Sequence, residues 1–62
     1  MNIVIKYNQP FEVTENQYNK IMHHCSGCVF GRTENNKYFI KIALMKYIDF
    51  ISEVSGLKLV KA

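Results

Sequence analysis

Residues 28–42 read CVFGRTENNKYFIKI, two runs of strand-forming residues flanking Thr33-Glu34-Asn35-Asn36. Asn tolerates positive φ, so Asn35-Asn36 suits a tight primed turn between Glu34 and Lys37. That turn sets Glu34 opposite Lys37, Thr33 opposite Tyr38, Arg32 opposite Phe39 and Phe30 opposite Lys41. A four-residue loop closed by Arg32 and Lys37 keeps the same parity but opposes like charges. Either way, Val29, Gly31, Tyr38, Ile40 and Ile42 share one face and Phe30, Arg32, Lys37, Phe39 and Lys41 the other, unless a bulge at Gly31 intervenes. The first set is a core face. The second places two phenylalanines among three cations, an unusual composition for a solvated face. It reads either as a covered surface, under the tail or a second subunit, or as a binding face.

Before the hairpin, Asn2–Tyr7 alternates as a half-buried strand, with Ile3, Ile5 and Tyr7 on one side and Val4 and Lys6 on the other. Asn8-Gln9-Pro10 breaks it. Phe11–Val13 is extended and suits a short returning strand. Thr14–Cys25 is a helix: Thr14 and Gln17 form a capping box, Val13 and Tyr18 a hydrophobic staple. Tyr18, Ile21, Met22 and Cys25 follow at helical spacing as one apolar stripe. Glu15 suits the positive end of the helix dipole, His23 and His24 the negative end. Gly27 is placed to end the helix in the left-handed conformation.

After the hairpin, Ala43–Ser55 reads as a second helix with a stripe of Leu44, Tyr47, Ile48, Ile51 and Val54. Met45 and Phe50 widen that stripe, as two neighbours would require. Gly56 is a stop signal, and Leu57–Lys61 can add a last strand. The expected fold is a single α+β domain over residues 1–62. It is a small β-α-β-β-α(-β) sandwich with two helices packed on one face of a three- or four-stranded antiparallel sheet. Its order of elements is similar to the ferredoxin-like arrangement. In that arrangement Val4 and Lys6 join Phe30, Arg32, Lys37, Phe39 and Lys41 on the open face.

With 62 residues the chain is small for a deep catalytic cavity, and a domain of this size gains from dimerisation or a partner. Eight Lys or Arg against five acids permit an acidic or nucleic-acid partner without concentrating charge as dedicated nucleic-acid binders do. No apolar run is long enough to span a membrane, and Met1-Asn2-Ile3-Val4 lacks the basic start of a secretion signal, so a cytoplasmic location is expected. The many Asn, Lys, Ile and Tyr residues and the absent Trp match an AT-rich genome, including those of phages.

Cys25 and Cys28 have C-x-x-C spacing and, with His24, are the candidate metal ligands. A structural zinc needs four ligands, and neighbouring positions in a last helical turn diverge. Small copper-carrying domains are similar in element order, but carry their C-x-x-C before the first helix rather than after it. A thioredoxin-like thiol sits at a helix N-terminus, whereas Cys25 sits near a C-terminus. The expectation is therefore two ordinary thiols, no metal and no cofactor. No phosphate loop, nucleophile–base set or carboxylate pair appears, and enzyme activity is not expected.

Two functional classes follow. One is a protein-interaction module using Phe30, Arg32, Lys37, Phe39 and Lys41, or Met45 and Phe50. Its partner is a second copy, as in a homodimer, or a host or defence protein blocked by a phage-encoded inhibitor or adaptor. The other is single-stranded nucleic-acid binding through the same basic-aromatic face. Lys37-Tyr38-Phe39-Ile40-Lys41 resembles the sheet motif of RNA-recognition domains, but lacks its glycine and alternating second aromatic.

Overall fold

The computed structural model describes residues 2–62; Met1, where the amino-terminal reading began, lies outside the described residues. The elements are β1 (Asn2–Ile5), β2 (Phe11–Val13), α1 (Glu15–Cys25), β3 (Val29–Glu34), β4 (Lys37–Ile42), a 3-10 turn (Met45–Tyr47), α2 (Ile48–Ser55) and β5 (Lys58–Lys61). They make an α+β fold with two helices, a three-stranded antiparallel sheet and a parallel pair.

The hairpin holds the register that its turn chemistry dictates. Asn35 and Asn36 have φ of 50° and 64°, as a type I′ turn requires at both central positions. Pairing then runs unbroken from Glu34↔Lys37 to Val29↔Ile42, with no bulge at Gly31. Parity does the rest: Val29, Ile40 and Ile42 are buried, and Phe30 on the opposite side is 63% exposed. Gly31 is on the core face for a steric reason. The Tyr18 ring lies so close that a Cβ at position 31 would sit 2.6 Å from its Oη.

The short returning strand forms. β2 pairs antiparallel with the far side of β4, so β4 is central in the order β2-β4-β3. Phe11 and Val13 turn to the core beside Ile40 and Tyr38, and Glu12 joins the open face opposite Phe39.

β1 lies elsewhere than the ferredoxin-like order places it. It pairs in parallel with β5, Asn2↔Lys58 through Ile5↔Lys61, outside the hairpin sheet. Ile3, Ile5 and Leu59 face inward there, while Val4 turns out opposite Val60. Val4 and Lys6 therefore leave the expected open-face group. β1 also stops at Ile5: Asn8 takes φ 65°, the Gln9 N–H donates to the Lys6 carbonyl, and Tyr7 is 73% exposed rather than in line with Ile3 and Ile5.

The α1 capping box is present in both directions: the Thr14 N–H donates to Gln17 Oε1 (2.9 Å), and the Gln17 N–H to Thr14 Oγ1 (3.2 Å). Ile21 and Cys25 are buried, with Tyr18 and Met22 packed beside them. The helix does not end through a left-handed Gly27. Its cap, Ser26, stays right-handed (φ −58°), and the Cys28 N–H donates to the Cys25 carbonyl (2.9 Å), closing a tight turn into β3.

α2 is shorter than its apolar pattern. Leu44 is extended and 45% exposed, no side chain caps the start, and the first turn winds as 3-10 before Ile48. Its end is better held. Gly56 takes φ 76°, as its stop signal implies. Ser52 Oγ then bridges to β5, donating to the Leu57 carbonyl and accepting from the Leu59 N–H (2.9 Å). Ser55 Oγ donates to the Ile51 carbonyl (2.7 Å) and accepts from the Leu57 N–H (3.3 Å). Ser52→Ala removes both bridging bonds and is expected to cost about 1–2 kcal/mol in urea unfolding, mainly from the Leu59 N–H left unpaired.

Candidate functional site

The open face is built strand by strand. On β3 it carries Phe30, Arg32 and Glu34, on β4 Lys37, Phe39 and Lys41, and on β2 Glu12. Each phenylalanine meets a cation directly across the ladder. The Arg32 guanidinium lies 5.6 Å from the Phe39 centroid, and Lys41 Nζ lies 5.2 Å from the Phe30 centroid. Arg32 also contacts Glu34 two residues along its own strand, at 3.4 Å. These contacts are exposed or half-buried, worth at most about 1 kcal/mol each, so they orient the side chains more than they stabilise the fold.

Phe30, Arg32, Phe39 and Lys41 enclose a hollow of about 400 Å³. Gly31 also lines it, and its remaining wall is the turn after β1, which contributes Asn8 and Pro10. Those two were not among the expected contact residues. Asn-Gln-Pro signalled a turn, but only the tertiary arrangement lays that turn against Phe30 and Lys41. Lys37 has the expected parity but lies at the other end of the sheet, beside Glu12, Thr14, Gln17 and Asn36.

Met45 and Phe50, the alternative contact pair, do not line the hollow. Met45 is half-buried against the core, and Phe50 is exposed on α2. The expected grouping thus divides: Phe30, Arg32, Phe39 and Lys41 come together, while Lys37, Met45 and Phe50 lie apart from them.

Near that lower end, the Tyr38 hydroxyl donates to Glu15 Oε2, which raises the phenol above its usual range. The Tyr18 and Tyr38 rings pack 5.2 Å apart, joining α1 to β4.

Cys25 and Cys28 are free thiols, Cys25 buried and Cys28 half-buried. Burial raises the Cys25 pKa, and the neighbouring Cys28 raises it further, which favours the protonated thiol. His23 and His24 are exposed and pack edge to face, 4.8 Å apart. Among the described residues no three His, Cys, Asp or Glu side chains gather as a metal-ligand set, so His24, Cys25 and Cys28 do not converge. Among the described residues no helix is long and apolar enough to cross a membrane.

No protein-family model matches the chain, and comparison with curated proteins and with solved structures finds no match.

Proposed function

We propose that the chain is a small, non-enzymatic protein-interaction module that holds its partner on the open face of the hairpin sheet. The observation that carries this reading is Phe30, 63% exposed at the rim of a hollow it shares with Phe39 and two cations. An exposed aromatic beside a half-buried one, with Arg between them, is the composition interfaces favour at their centres. The occupant that fits is a protein segment with an apolar side chain seated between Phe30, Phe39 and Pro10, and carboxylates reaching Arg32 and Lys41. As a phage-encoded inhibitor or adaptor, the chain would meet a host or defence protein in the cytoplasm, where Cys25 and Cys28 stay reduced.

Stacked bases suit the same face less well. Each ring already has one face over a cation, which leaves a single face for a base. Three cations there also stand against two acids, Glu12 and Glu34, a weak field for a phosphate backbone.

The test starts with a partner captured on the wild-type chain, then purified for titration. Phe30→Ala and Arg32→Glu are each expected to weaken binding by about 10–100-fold with the melting temperature nearly unchanged. Wild-type affinity of the partner for both variants removes the sheet face as the site. Salt-sensitive binding of short single-stranded oligonucleotides, lost in Phe39→Ala, replaces this reading with the nucleic-acid one.

A further inference from the structure

The strand edges of this fold are unequally protected. β2 is three residues long and follows Pro10; β1 and β5 are four residues each, bordered by Lys6 and by Lys58 and Lys61. Shortness, proline and lysine are the usual devices that keep an edge from pairing. β3 has none of them, and its two charged side chains, Arg32 and Glu34, pair with each other. It is six residues long, contains no Lys or Pro, bonds to β4 on one side only, and is exposed from Phe30 through Glu34.

The hydrogen-bonding phase of this edge follows from the hairpin. The Ala43 N–H donates to the Cys28 carbonyl, so Cys28 points its backbone toward β4. In an antiparallel ladder this alternates, which turns Phe30, Arg32 and Glu34 toward β4 and leaves the N–H and C=O groups of Val29, Gly31 and Thr33 aimed outward.

We propose that β3 pairs antiparallel with β3 of a second copy, about a two-fold axis at Gly31. The result is a six-stranded sheet, β2-β4-β3-β3-β4-β2. Overlap and charge together select this register. An axis at Phe30 or at Thr33 overlaps only three β3 residues of each copy, against five at Gly31 or Arg32, and the axis at Arg32 opposes two arginines. With the axis at Gly31, Phe30 of each copy faces Arg32 of the other. The pattern seen within one chain, each Phe facing a cation, then continues across the junction: Glu12, Phe39 and Arg32 of one copy lead into Phe30 and Lys41 of the next. Pairing uses the edge and leaves both open faces uncovered, so it goes beyond the partner-binding reading and stands or falls apart from it.

Sedimentation velocity over a concentration series tests the proposal. The wild-type chain is expected to dimerise. Thr33→Pro removes an outward N–H without touching the β3–β4 ladder, a site where an edge strand tolerates proline. It is expected to raise the dimer dissociation constant at least about tenfold with near-native circular dichroism. Phe39→Ala, within the hollow, is expected to leave dimerisation unchanged. Glu34→Cys reads the register. Under a mild oxidant its thiol joins Cys28 of the other copy, since along one strand these positions are about 20 Å apart and cannot bridge internally. A wild-type chain that stays monomeric up to millimolar concentration overturns the proposal. So does a Thr33→Pro chain that dimerises as the wild type does, or a bridge joining only position 34 to position 34.

Discussion

Ile40→Ala is expected to remove most of the chain's folding stability at room temperature. Ile40 is completely buried in the central strand, with Phe11 on one neighbour and Gly31 on the other. Its neighbours cannot easily fill the hole: Gly31 has no side chain to offer, and Tyr18 already covers that glycine. Removing a buried isoleucine down to alanine costs about 2–5 kcal/mol, more where the site cannot collapse. At about 0.05–0.15 kcal/mol per residue the entire fold holds roughly 3–9 kcal/mol. The substitution therefore removes most of the margin. Thermal and urea melts followed by circular dichroism measure it, with Ile40→Val, at about 0.5–1.5 kcal/mol, as the graded control. A loss under about 1 kcal/mol for Ile40→Ala would mean that this strand is not the centre of the core.

The second large effect is conditional. Gly31→Ala is expected to cost about 1–3 kcal/mol in the wild-type chain, because the new methyl overlaps the Tyr18 ring and forces it off its seat between β3 and Tyr38. The same change in a Tyr18→Ala background is expected to be neutral or to stabilise by about 0.5 kcal/mol, since alanine is otherwise better than glycine in a strand. The double-mutant cycle isolates the term, and the coupling should equal the whole Gly31→Ala cost or slightly exceed it. Additive losses would show that the glycine answers to backbone conformation instead. This glycine has a negative φ, unlike Gly56, so conformation alone gives no reason for it.

Gly31 also shows where reading the sequence stops. Its parity was legible, and so was the chance of a bulge. The Tyr18 ring above it was not, because that contact joins a helix to a strand with no local spacing rule between them. The candidate site divides in the same way. Phe30 opposite Lys41 and Arg32 opposite Phe39 follow from the Asn35-Asn36 turn alone. Asn8 and Pro10 enter the hollow only through tertiary packing, and the α2 stripe misled at its start because Leu44 and Met45 carry the pattern of a helix without a cap to begin one.

What the chain's own order of residues determined is whatever closes over a few positions. That covers the hairpin register, the Thr14–Gln17 cap, the stop at Gly56 and the two-sidedness of β3 and β4. Turn φ preferences, capping bonds and the two-residue period of a strand act within a single turn or step, so they can be read directly. The parallel pairing of β1 with β5 was decided by the folded structure, which joins opposite ends of the chain to bury Ile5 and Leu59. An alternating strand shows which of its sides is apolar but not which strand it will lie beside; that depends on the apolar surface the other elements leave uncovered.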